Sequence, residues 1–169
     1  MRSYGCVMMK VEDSGWDDLC RIIDPEDVYE PDDEHGISRN PHITILFGLL
    51  DLMVPPQMVM DVMQKFDAPH IQFKGISIFE HKDFDVVKID VISADLAEMH
   101  DSLRQLPHVD QFPTYKPHAT IAFVKKGTGK KYVGTHSTWM PEEQVLTDVI
   151  YSRTNNATVQ IKLIENGRR

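Results

Sequence analysis

Apolar and polar positions alternate in short blocks along this chain, and the period shifts from two to about 3.6 and back several times. Tyr4 to Val11 reads as a first strand. Ser14 predicts a helix N-cap, with Asp17 and Asp18 in the first turn. Trp16, Leu19, Cys20 and Ile23 then fall at i, i+3, i+4 and i+7, one face of a short helix ending near Pro25. No period survives from there to Asn40, which predicts a loop: a solvated connection or a flap. His42 to Gly48 alternates as a strand, and Pro55 and Pro56 open a second helix with Val59, Val62, Met63 and Phe66 on one face. Ile71 to Phe79 and Phe84 to Ile92 form a hairpin turning at residues 80–83. Ser93 caps a third helix lined by Leu96, Met99 and Leu103, and Pro107 stops it. His118 to Val124 is a further strand, and Gly127-Thr128-Gly129 is a turn without the spacing of a phosphate-binding Walker loop. Val145 to Ser152 and Thr158 to Ile164 complete the series as a hairpin around Asn155-Asn156. Strands and helices in this order predict an α+β domain with a largely antiparallel sheet, not a doubly wound one.

Length and composition narrow the class. The 169 residues suit one domain, and 41% apolar with 26% charged residues is the balance of a globular chain, not a disordered one. Two cysteines, Cys6 and Cys20, make neither a disulfide framework nor a four-cysteine zinc site. Neither a signal peptide nor a bilayer-spanning stretch is read from the sequence, so a cytoplasmic, soluble protein is expected, in the host cytoplasm if its source is viral. The net charge of −8 is unevenly spread: residues 1–103 carry 8 basic and 21 acidic side chains, residues 104–169 carry 10 and 5. Seven carboxylates lie between Asp24 and Glu34 alone. An acidic whole argues against duplex DNA as partner, while a basic C-terminal part leaves room for a small phosphorylated ligand.

One local repeat carries chemistry. Pro41-His42-Ile43-Thr44-Ile45 recurs 76 residues later as Pro117-His118-Ala119-Thr120-Ile121. Proline pushes the residue before it into extended geometry, so each pentapeptide enters a strand at its histidine. On a strand, i and i+2 share a face, so each copy presents an imidazole and a hydroxyl together while Ile43, Ile45, Ala119 and Ile121 point the other way. Two imidazoles that titrate near neutrality suit the paired proton transfers of phosphodiester cleavage, one taking a proton from the attacking oxygen and one giving a proton to the leaving oxygen. Thr44 and Thr120 can donate to the non-bridging oxygens as charge gathers there. A ribose 2′-hydroxyl would supply the nucleophile without a metal. The remaining histidines (His35, His70, His81, His100, His108, His136) have no repeated partner and read as surface or core residues.

These motifs resemble the 2H phosphoesterases, the LigT-like family, whose signature is two His-x-Thr/Ser-x copies: here His42-Ile43-Thr44-Ile45 and His118-Ala119-Thr120-Ile121. The resemblance implies a bilobal α+β fold over residues 1–169, with antiparallel sheets flanking a central groove in pseudo-twofold symmetry, one motif per lobe. It implies metal-independent chemistry, with no cofactor, on 2′,3′-cyclic phosphates, 2′–5′ linkages or cyclic nucleotides. The flanks Gly36-Ile37-Ser38-Arg39-Asn40 and Lys125-Lys126-Gly127-Thr128-Gly129-Lys130-Lys131-Tyr132 look most like compact phage and viral members, some of which degrade cyclic oligonucleotide messengers of bacterial immunity.

Five further residues are candidates for the substrate. Tyr4 and Tyr115 either stack on a base or pack in the core; Trp139 is a stacking lid or a core or hinge residue; Lys116 pairs with phosphate; Asp148 accepts from an exocyclic amine. The expected partner is a nucleotide or short oligonucleotide, the expected state a monomer away from membranes. RNA 2′,3′-cyclic phosphate processing, 2′–5′ ligation, a sequestering module without turnover and a metal-dependent hydrolase are the competing readings. The last lacks histidines at i, i+4 or carboxylates interleaved with His42 or His118.

Overall fold

The computed structural model describes residues 3–110, 112, 114–135 and 142–165. Eight strands and three helices follow one another as β1 (Gly5–Lys10), α1 (Trp16–Cys20), β2 (His42–Leu49), α2 (Pro56–Met63), β3 (His70–Glu80), β4 (Phe84–Ile92), α3 (Ala94–Leu103), β5 (His118–Lys125), β6 (Glu143–Val145), β7 (Asp148–Ser152) and β8 (Thr158–Lys162). All pairings are antiparallel, in one sheet of order β6-β3-β4-β5-β2-β1-β7-β8. The sheet's two halves are joined where β2 meets β5 at a single paired position, Ile43 with Ala119.

The halves mirror each other. β2 and β5 have the same alternation of buried and half-buried residues over their first seven positions. Each carries a bulge at the same place: Ile45 is skipped between the Val7–Leu46 and Met8–Thr44 pairs, Ile121 between Val87–Ala122 and Lys88–Thr120. One extra residue reverses the side-chain parity downstream, so Phe47 and Phe123 return to the face of the histidines. The opposite face is the core. Val7, Met9, Ile43, Ile45, Val87, Ile89, Ala119, Ile121 and Val149 bury there with Trp16, Leu19, Val59, Met63, Leu96, Met99 and Leu103 from the helices.

Three expectations change. Ser14 is not the cap of α1; the chain enters the helix through Gly15 at φ 82°, a conformation glycine adopts without Cβ strain. The expected strand Val145–Ser152 is two strands, β6 on β3 and β7 on β1, split at Leu146-Thr147. Only two residues separate elements that have five strands between them in the sheet, so the sheet curls until its ends approach, and Leu163 N–H donating to Thr147 O at 2.8 Å and Ala68 N–H to Ile164 O at 2.9 Å close that side. The acidic stretch is not a free flap. It lies along β5, with Tyr29 N–H donating to Phe123 O (2.9 Å), Phe123 N–H to Gly36 O (2.9 Å) and Ser38 N–H to Ile121 O (2.8 Å).

The same contacts explain the split charge. Lys131 pairs with Asp27 at 2.6 Å, Lys125 Nζ donates to Glu26 O at 2.7 Å, and Lys126 reaches buried Asp85 at 3.4 Å. Asp85 also accepts from Gly127 and Gly129 N–H at 2.9 and 3.0 Å, which fixes the turn after β5. The basic flank of the second motif thus holds its own acidic loop.

Candidate active site

Antiparallel pairing of Ile43 with Ala119 sets His42 level with Thr120 and Thr44 level with His118, all four on the face opposite the core. The pentapeptides are therefore adjacent, crossed by a local twofold. The imidazoles are oriented alike. His42 Nδ1–H donates to Asn40 O at 3.0 Å and His118 Nδ1–H to Lys116 O at 2.8 Å, each two residues back around its proline. A carbonyl only accepts, so Nδ1 carries the proton and Nε2 is left for chemistry on both rings.

The surroundings are not alike. On β1, Lys10 stands opposite His42 and Met8 opposite Thr44; on β4, Asp90 stands opposite His118 and Lys88 opposite Thr120. Lys88 Nζ is held by Asp90 at 2.5 Å and Ser77 Oγ at 2.7 Å. Burial, first, holds the His118 pKa below the ordinary imidazole value; Lys88 and His42 push the same way, while the Lys116 carbonyl and Asp90 oppose. The neutral form of His118 is thereby favoured.

The lesser candidates scatter. Tyr115 stacks on His100 (4.2 Å, 5°) and donates its hydroxyl to Thr44 O at 2.9 Å, so its ring face and hydroxyl brace the first motif strand from the side where β5 diverges. Tyr4 meets Phe47 edge to face at 5.9 Å. Lys116 is exposed, and its backbone carbonyl is the part that reaches His118. Asp148 lies one step beyond the β1–β7 ladder, level with Lys10, and pairs with Lys162 at 3.8 Å. Trp139 lies outside the described residues. Lys10, Lys88 and Asp90 escaped the sequence reading; strand alternation marks them as outward, but only the register sets them beside the motifs. A cavity lined by His70, Gln72, Ile92, Ser93, Asp95 and Glu143 opens two residues beyond Asp90 along β4 and contains neither motif histidine. Among the described residues no three His, Cys, Asp or Glu side chains group to hold a metal ion, and no helix is long and apolar enough to cross a membrane.

A curled antiparallel sheet presenting two crossed His-x-Thr strands on one face defines a LigT-like two-histidine phosphoesterase fold. A family model described as the 2′-5′ RNA ligase superfamily matches residues 30–136, which hold both motifs, and the chain belongs to that superfamily. Its chemistry accordingly lies with phosphodiester cleavage or ligation. A solved structure described as a phosphoesterase superposes with a TM-score of 0.58 at 9% identity, covering 98% of this chain and 100% of the other. E. coli LigT complexed with phosphate superposes with a TM-score of 0.53 at 11% identity, covering 96% and 98%. At these identities the likeness is one of fold. No curated protein matches the sequence.

Proposed function

We propose that the chain is a metal-independent phosphodiesterase working on a nucleotide substrate through His42 and His118. The observation that carries this is the shared tautomer: both Nδ1–H groups are spent on backbone carbonyls, so Nε2 is the atom left for chemistry on two histidines that share one sheet face with the crossed threonines. Its neutral form favoured by burial, His118 is suited to take the proton from the attacking 2′-hydroxyl or water. The new P–O bond forms as the opposite P–O bond breaks, and His42 in its protonated form gives its Nε2 proton to the leaving oxygen. Thr44 and Thr120 donate to the non-bridging oxygens.

The substrate we favour is a cyclic oligonucleotide or a 2′–5′-linked messenger, in a member of the phage and viral branch that evades nucleotide-based immunity. This finer reading rests on the flanking segments. The family description supports a second reading: a 5′-hydroxyl attacking a 2′,3′-cyclic phosphate joins two ends by the same transfers run in reverse.

The test is a panel of cyclic di- and trinucleotides, 2′–5′ oligoadenylate and RNA ending in a cyclic phosphate, incubated in excess chelator. Turnover lost in His42→Ala and in His118→Ala supports the proposal. Stoichiometric binding without turnover by the wild type would replace it with a sequestering module, and activity only with added metal would replace it with a metal-dependent hydrolase.

A further inference from the structure

The local twofold relating the motifs is broken by charge, with a lysine level with one histidine and an aspartate level with the other. Lys10 of β1 occupies, beside His42, the place Asp90 of β4 occupies beside His118. Its backbone is fixed on both sides: Lys10 pairs with His42, and the next residue, Val11, donates its N–H to Pro41 O at 3.0 Å. The Lys10 side chain is exposed and makes no ion pair among the described residues. Asp148, the nearest acid by register, pairs with Lys162 instead. Lys88, the other lysine of this face beside a motif, is only 16% exposed and already bound to Asp90 and Ser77. Lys10 is thus the lysine set level with a motif residue by cross-strand register that is left for a ligand.

Its distance from the reacting phosphate follows from the sheet. On the phosphodiester reading the reacting phosphate lies over the β2–β5 seam, between the two histidines, while Lys10 stands one strand further out, about 5 Å at the backbone from His42. A lysine is a point charge on a flexible stem, suited to phosphate without demanding one geometry. On the other side of the seam the equivalent place holds Asp90, whose charge Lys88 offsets, so the cation left free for a second phosphate is at β1 and not at β4.

We infer that Lys10 binds a second phosphate of the substrate, flanking the reacting one on the His42 side, and so selects nucleotides with at least two phosphates in one orientation. This rests on the phosphodiester reading above. It deepens it by naming the substrate class and the polarity with which the strand lies.

Binding of adenosine 3′-monophosphate and adenosine 3′,5′-bisphosphate, followed by NMR titration, measures the second phosphate alone. The wild type should prefer the bisphosphate about tenfold, the scale of one charged contact. Lys10→Gln should bring the ratio near one, and Lys10→Arg should keep it. The salt dependence of bisphosphate binding should fall by about one released counterion in Lys10→Gln, a slope change near 0.7. A wild-type ratio of one, a ratio unchanged in Lys10→Gln, or no binding of either nucleotide overturns the inference. Turnover of the phosphodiester panel by the wild type reads the reaction separately. A Lys10-dependent ratio without turnover removes the reaction and keeps the phosphate site; turnover with a Lys10-independent ratio does the reverse.

Discussion

β2 and β5 share a backbone, down to a bulge after the same threonine, yet they are supported by different means. At the bulge of β5 the Ile121 carbonyl accepts from Ser38 N–H, a backbone group of the acidic loop. At the bulge of β2 the Ile45 carbonyl accepts from His100 Nδ1–H at 2.7 Å, and the Thr44 carbonyl from the Tyr115 hydroxyl at 2.9 Å. In each case the support comes from the chain that leads into the other motif. β2 is therefore held by side chains that a mutation can remove, and β5 by main chain that most mutations leave in place. The comparison teaches that a matched backbone geometry can be kept while the means of keeping it, and the charges around it, diverge.

The largest effects should respect the symmetry. His42→Ala and His118→Ala should each lower kcat by about 10²–10⁴-fold with circular dichroism unchanged, and the double variant should be little worse than either single. A near-wild-type rate in one of them would break the pairing of the two strands as a catalytic unit. Thr44→Val and Thr120→Val should lose about 10–10³-fold in kcat, since each removes one hydrogen bond to developing charge. Effects confined to KM would move the threonines from transition-state to ground-state contacts.

Smaller effects should expose the asymmetry. Burial and Lys88 disfavour the His118 imidazolium and Asp90 favours it. The acidic limb of kcat/KM, which marks loss of the neutral base, should therefore lie below pH 6.5. Asp90→Asn should move it lower still and Lys88→Met should move it higher, with the His118 ring signal in NMR following the same directions. Opposite shifts would transfer the acidic limb to His42. Tyr115→Phe should cost about 1 kcal/mol, since it strips the Thr44 carbonyl of its partner, and lower Tm by about 2–4 °C in a chain of this size. Ser38→Ala should stay within about 0.5 kcal/mol of wild type by thermal unfolding, because its backbone N–H makes the bond.

Much of this molecule was written in local pattern. Alternation, the two prolines before the histidines and the Ser93 cap, which accepts from Leu96 N–H at 3.1 Å, each depend on neighbours a few residues away, and they placed the strands, the third helix and both motifs. The identity of β2 and β5 was visible for the same reason: side-chain period and proline geometry are properties of the segment itself. What stayed hidden depends on which segments meet. Nothing local breaks Val145–Ser152 in two; the break exists because the curled sheet gives its halves different partners, β3 and β1. The uneven charge of the two halves gains its meaning only in the fold, where Lys125 and Lys131 hold the acidic loop and Lys126 reaches Asp85. Lys10, Lys88 and Asp90 are outward polar residues on two unremarkable strands, and cross-strand register alone sets them beside His42, Thr120 and His118. Charge acts over a few ångströms of space, whatever the separation along the chain, so the two histidine strands were legible in the sequence and their electrostatic setting only in the fold.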